Sequence, residues 1–262
     1  MALRKWHKSL VNDTRKLSLT LIMKLLFPLT ALICLLPGNV PANADQDIQL
    51  GVEAVAGYRS GYVYRGFELA KDTLDFQIET EIALNNHTSL NIGSWYATEN
   101  GKGDFDESAI FSHLRLKQTD KLTIGISASY RHFGNSSSTL RANFESGLDV
   151  GTFASWQLHD DLIATAGAYY DFGAKAWYSK AEAQWSKVIS NTTYISLNTG
   201  ISYVDDYYGR DGMNDVYGRL SVTHHLSDTV SITPYVGGSI LMDNNDPADD
   251  QAFAGMWFEV RF

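Results

Sequence analysis

From Leu50 to the last residue, apolar side chains recur at every second position, in blocks of about ten residues separated by polar turns. Leu74, Phe76 and Ile78 alternate with Asp75, Gln77 and Glu79, and Leu114 and Leu116 alternate with His113, Arg115 and Lys117. A period of two is that of strands with one apolar and one polar face, and helical spacing is absent. Twelve blocks can be drawn: Leu50 to Ala56, Leu74 to Leu84, Leu90 to Tyr96, Ile110 to Leu116, Leu122 to Tyr130, Leu148 to Leu158, Leu162 to Tyr170, Trp177 to Trp185, Ile195 to Tyr203, Val216 to Leu226, Val230 to Ile240 and Ala252 to Phe262.

The connections alternate as well. Asn85-Asn86-His87, Gln118-Thr119-Asp120, His159-Asp160-Asp161, Ser190-Asn191-Thr192 and Ser227-Asp228-Thr229 are short turns. Between them lie longer links at Gly66 to Asp72, Thr98 to Asp106, Gly134 to Ala142, Asp205 to Asn214 and Met242 to Asp250, with one brief exception at Gly173 to Ala176. Short turns on one rim and long loops on the other are the asymmetry of outer-membrane barrels. The pattern predicts an all-β fold, a transmembrane up-and-down antiparallel β-barrel of about twelve strands, with both termini at the periplasmic rim. The first and last strands should pair, because an open sheet edge in hydrocarbon leaves backbone groups unsatisfied. Alternation alone also fits a secreted β-sandwich, whose apolar face would line a packed core. Aromatic residues gathered near strand ends (Trp95, Tyr96, Tyr130, Tyr170, Trp177 and Tyr203 towards the long loops, Trp156, Trp185 and Phe258 towards the short turns) favour the membrane, whose interfaces attract such rings.

The chain before the strands has a different character. Basic residues from Arg4 to Lys16 precede an apolar run, Leu25 to Leu36, which is shorter than the roughly 20 residues of a spanning helix. Pro41-Ala42-Asn43-Ala44 then offers a small-x-small cleavage site, so residues 1–44 read as a signal peptide and residues 45–262 as the barrel. Met23-Lys24 could open a more compact leader and is a candidate start. Cys34, the only cysteine, follows Ile33 rather than a small residue, which argues against lipidation; beyond the leader no disulfide or thiolate site is available.

The leader holds six of the 21 basic residues and one of the 30 acidic ones, so the remainder carries 15 against 29. Such an excess of acid argues against a nucleic-acid partner. No cofactor or metal is expected: His224 and His225 point to opposite faces of one strand, and the acidic loops lack the spacing of an EF-hand.

The inward parity nominates the pore-lining residues Glu53, Arg65, Asp75, Glu79, Glu81, His113, Arg115, Arg131, Lys180, Glu182, Arg219 and Glu259, with Arg59, Lys117, Asp149, Asp171 and Arg261 as further inward charges. Arg65 is either a constriction charge that selects permeant ions or a member of a lumenal ion-pair ladder. Twelve strands lie between barrels plugged by side chains and wide channels, so the width of the lumen stays open at this point. Acid in the outer loops, including Asp205, Asp206, Asp211 and Asp215 and then Asp243, Asp246, Asp249 and Asp250, is either a solvated loop surface or a ring of carboxylates that enriches cations at the mouth and binds divalent ions shared with lipopolysaccharide.

Ser60-Gly61-Tyr62-Val63-Tyr64-Arg65-Gly66-Phe67 resembles the opening motif of the TorF-type porins, Ser-Asp-Tyr-Val-Phe-Arg-Gly, departing from it at Gly61 and Tyr64. The end, Trp257-Phe258-Glu259-Val260-Arg261-Phe262, is similar to the C-terminal signal read by the barrel-assembly machinery, with Phe258, Val260 and Phe262 on one parity. The resemblance implies a channel in the bacterial outer membrane, with outer-membrane lipid and lipopolysaccharide, the assembly machinery and small polar solutes as partners; it implies no substrate. The expected function is passive diffusion of small polar solutes or ions, with a preference for cations. The alternatives are a closed structural or surface-interaction barrel, and a lipid-active enzyme using His132 with Ser136, Ser137 or Ser138, a pairing that a flexible serine-rich loop supports poorly. A non-enzyme is the expectation.

Overall fold

The computed structural model describes residues 50–100, 105–136, 144–242 and 250–262. The signal-peptide residues 1–44 with Met23 and Cys34, most of the loops around Ser137 and Ser138, and Asp243, Asp246 and Asp249 lie outside the described residues. Twelve strands follow one another: β1 (Leu50–Tyr64), β2 (Phe67–Asn85), β3 (Thr88–Glu99), β4 (Phe105–Lys117), β5 (Leu122–Ser136), β6 (Gly147–His159), β7 (Leu162–Asp171), β8 (Ala176–Ser190), β9 (Thr193–Tyr207), β10 (Arg210–His225), β11 (Val230–Leu241) and β12 (Gln251–Arg261). Each pairs antiparallel with its neighbours in sequence, and β1 pairs with β12, so the sheet is a closed barrel. Along that seam Ala54 faces Val260 and Ala56 faces Phe258, and the Phe262 amide donates to the Val52 carbonyl at 2.9 Å. Closure removes the two free edges that an open sheet would keep, and every strand finds partners on both sides.

The apolar parity faces outward. Ile110 is 66% exposed, Phe76 51% and Val236 56%, and Ile78, Ile124, Leu148, Leu197, Leu220 and Met256 join them in a band around the wall. A continuous apolar surface of this extent is a face for hydrocarbon rather than water.

Two of the expected loops are strand. The links Gly66 to Asp72 and Asp205 to Asn214 collapse to the turns Arg65-Gly66 and Tyr208-Gly209, because β2 begins at Phe67, β9 runs to Tyr207 and β10 begins at Arg210. Both turns have positive φ at each residue, 51° and 81° in the first and 49° and 88° in the second. These are the mirror-image hairpin turns whose twist matches that of the flanking strands, and a glycine at the second position makes them inexpensive. Register shifts in β10 between Arg210 and Gly212 and between Met213 and Val216 absorb the mixed polar sequence there. Asp215, expected in an acidic loop, is therefore a buried strand residue at 2% exposure.

The inward face also differs from a purely polar wall. Seven aromatic residues sit directly across from glycines of the next strand: Gly57 with Trp257, Gly93 with Phe111, Gly125 with Phe153, Gly151 with Tyr169, Gly200 with Tyr217, Gly237 with Phe253 and Gly255 with Tyr235. In each pair the ring lies over the glycine so closely that a Cβ would collide with it, as Tyr235 would with a side chain at 255. The missing side chain gives the ring a seat flat against the wall, which fills lumen without forcing the strands apart. Trp95, expected with Tyr96 at the outer interface, points inward for the same period-two reason, and its ring centroid is 5.5 Å from that of Tyr62.

Candidate functional site

The lumen is built around the tip of the β1–β2 hairpin. A register shift between Tyr62 and Val63 lets β1 bend, and the tight turn at Arg65-Gly66 then packs within the long-loop half of the barrel. Tyr62, Phe67 and Leu69 from this hairpin, Phe105 from β4, Phe144 before β6, Tyr178 from β8 and Tyr207 from β9 form one buried cluster. Phe144 is its centre, with ring contacts to Phe67, Phe133, Tyr64 and Tyr208 at 4.3 to 6.4 Å. Burial lifts the pKa of the Tyr208 hydroxyl to about 12, and this hydroxyl accepts from the Glu145 amide at 3.0 Å.

Arg65 crosses the lumen from this tip. In a twelve-strand ring β1 lies opposite β7, and the Arg65 guanidinium pairs with Asp149 on β6 and with Asp171 on β7, the latter at 3.3 Å. It also donates to the Tyr207 hydroxyl at 3.0 Å and packs over the Tyr178 ring at 4.4 Å. Tyr207 in turn donates to Asp171 at 2.8 Å, and the other Asp171 oxygen caps the β7–β8 turn through the amides of Gly173 and Ala174. Asn214 donates to the Arg65 carbonyl at 3.0 Å and to Ser202 and Asp215, so the backbone of the turn is clamped as firmly as its side chain. Charge-assisted bonds among nearly buried groups are strong and directional.

The remaining nominated residues form smaller sets. Arg131 pairs with Glu107 at 2.5 Å, Glu107 also accepts from Tyr62 at 2.9 Å, and Arg131 lies over the Tyr64 ring. Asp75 pairs with Arg59, which lies 5.0 Å from the Tyr62 ring. Lys180 pairs with Glu182 at 2.7 Å, and Tyr217 donates to the same carboxylate. Glu79 accepts from Gln77, and His113 stacks beside Phe111. Arg219 stacks on Trp257. Towards the short-turn rim Glu81 and Arg115 are 3.9 Å apart and half exposed, Glu53 pairs with Arg261 at 2.7 Å, and Glu259 accepts from Ser231. Hydroxyl pairs, Ser155 with Thr165, Ser196 with Ser221 and Thr223 with Thr233, line the wall at this end. Phe258 and Phe262 are on the outer surface of β12 and at its end, 44% and 79% exposed, with Val260 between Ala54 and Val230.

Among the described residues the lumen holds cavities of about 660, 340 and 200 Å³, and each of these touches Arg59. The largest lies against β1 to β8 and Arg219 of β10, and the second against β1 and β8 to β12.

Alternation and charge alone do not nominate every member of this network. Glu107, Tyr207, Asn214 and Trp257 belong to it, and for Glu107 a signal existed, since it shares parity with Ala109, Phe111 and His113 on β4. Asn214 and Tyr207 were hidden inside the stretch read as loop. His132 is exposed at the outer end of β5, and its Nδ1 is 3.1 Å from Ser146, a serine not considered from sequence.

The barrel is similar in fold to the KdgM porin, with a TM-score of 0.52 and 9% identity over 81% of this chain and 99% of that one. NanC porin gives 0.52 at 11% identity, covering 80% and 98%, and the COG4313 outer membrane channel from Pseudomonas putida F1 gives 0.51 at 10%, covering 85% and 99%. At these identities the likeness is one of architecture: this chain has the fold of outer-membrane porins. No protein-family model and no curated protein matches the chain.

Proposed function

We propose that the chain is a channel of the bacterial outer membrane for small polar solutes, narrowed by the β1–β2 hairpin tip. The observation that carries this reading is the row of charged and hydroxyl-lined cavities meeting at Arg59 inside a closed wall whose outer face is apolar. A sealed structural barrel has no need of solvated space within its lumen, whereas a permeation path requires it. Structures of this fold include a KdgM porin in complex with disordered oligogalacturonate, a polar solute, which supports the same reading here. The Ser60 to Phe67 motif supports membership of the TorF-type porins, and in this barrel that motif forms the hairpin tip. Residues 1–44 act as the export signal, Phe258, Val260 and Phe262 as the assembly signal, and outer-membrane lipid with lipopolysaccharide as the surroundings of the wall.

The expected preference for cations rests on Asp205, Asp206 and Asp211, which are exposed at the long-loop rim. The zero-current potential in a potassium chloride gradient measures whether that rim or the lumenal cations set the sign of selectivity. A second reading, a closed barrel acting through its loops, draws on the tight packing around Arg65 and Phe144. Planar-bilayer recording of purified mature protein separates the two: discrete conductance steps are expected from the channel, and a silent bilayer containing correctly folded protein overturns it.

A further inference from the structure

Among the cations that line the two larger cavities, Arg219 stands apart. Arg59 has Asp75, Arg65 has Asp149 and Asp171, Arg131 has Glu107 and Lys180 has Glu182. Arg219 has no ion pair and no side-chain hydrogen bond among the described residues; its Nε is buried without an acceptor, as are those of Arg59 and Arg131, which have carboxylates on their other nitrogens. Its guanidinium is held by rings instead, 4.4 Å from the Trp257 centroid and 5.7 Å from that of Tyr235, and these two rings are 4.4 Å apart. Aromatic faces fix the plane of a guanidinium while leaving its N–H edges free to donate.

Its position is equally specific. Arg59, Arg65, Lys180 and Arg219 each line both larger cavities, and no carboxylate lines both. A solute passing from one cavity to the other meets four cations, three already neutralised by neighbours and one open. An enclosed cation without a partner is costly, and an anion that accepts two of its N–H groups relieves that cost. The cavity volumes fall in the ~300–1,000 Å³ range of small-molecule sites. We infer that Arg219 is the binding station for small carboxylate solutes, with Lys180 and Arg59 adding positive potential around it. This deepens the channel reading and rests on it for its biological meaning, but binding itself is measurable without conduction.

The test uses refolded mature protein in detergent micelles, titrated with sodium gluconate and with sorbitol, a neutral polyol of similar length, at constant ionic strength. Tryptophan fluorescence reports the neighbourhood of Trp257, and isothermal titration gives the affinity. Saturable binding of gluconate and none of sorbitol is expected. Arg219→Gln should weaken gluconate by about tenfold or more, the loss expected for a charge-assisted pair of hydrogen bonds. Arg219→Lys keeps the charge but loses the planar fork and should fall between, and it serves as the test variant if Arg219→Gln does not refold. Lys121→Gln, in the exposed short turn before β5, should bind as the parent does. Equal responses to gluconate and sorbitol, or unchanged gluconate affinity in the Arg219 variants, overturn the site. Saturable gluconate binding by a protein that is silent in bilayers overturns the channel and leaves the site standing; conduction without gluconate binding does the reverse.

Discussion

The two halves of the lumen are built on different physics. Near the long-loop rim the interior is dry and specific: Phe144, Phe105, Tyr207 and Leu69 are almost fully buried, and Arg65 reaches across the barrel to carboxylates on the far wall. Near the short-turn rim the interior is wet: the Glu81 and Arg115 side chains are about half exposed, and serine and threonine hydroxyls satisfy one another along the wall. Both halves are cut from the same strands with the same alternation. What separates them is a folded-in hairpin: pore width in such a barrel is set by where one short turn packs, with strand number supplying only the upper limit.

That contrast can be broken most forcefully at Arg65. Arg65→Ala leaves Asp149 and Asp171 facing each other in a nearly buried site, and removal of one partner from a buried pair costs about 3–5 kcal/mol. Urea unfolding in lipid vesicles should register that loss, and bilayer recording should show larger unitary steps as the tip loosens; parental stability with unchanged conductance would show that the tip neither anchors nor narrows the lumen. Phe144→Ala should come next, at about 3 kcal/mol, because it opens a cavity where four rings meet. Gel migration without boiling, followed against temperature, measures it. The smallest effect belongs to the wet half: Arg115→Gln breaks a long, half-exposed pair and should change stability by less than about 1 kcal/mol. If Arg115→Gln matched Arg65→Ala, the proposed division of the lumen would collapse.

Much of the architecture was legible in the order of residues. Phe76 and Ile78 against Asp75 and Gln77 determine which face of β2 meets lipid, because successive side chains must point opposite ways. The same rule carried Arg65, Glu182 and Arg219 to the inward list. It failed where the backbone departs from regular extension. Composition does not separate the Arg65-Gly66 and Tyr208-Gly209 turns from long loops, since a short polar turn and the start of a bulged polar strand look alike in it. The glycines across from Phe111, Tyr169 and Trp257 were also passed over, since a residue without a side chain leaves no mark on a hydrophobic pattern, although its absence is what seats the ring.

The number of strands, their alternation and the closed apolar exterior are thus legible in the order of residues, because they follow from local periodicity and the need to satisfy every backbone group in hydrocarbon. Which inward charges meet depends on the folded chain. Arg65 and Asp149 are far apart in the chain and come together because the hairpin bends across the ring, and Arg219 is left without a carboxylate because of which side chains β11 and β12 bring beside it. Pairing across a lumen depends on the packing of a turn against an opposite wall, and no periodicity within one strand encodes that distance.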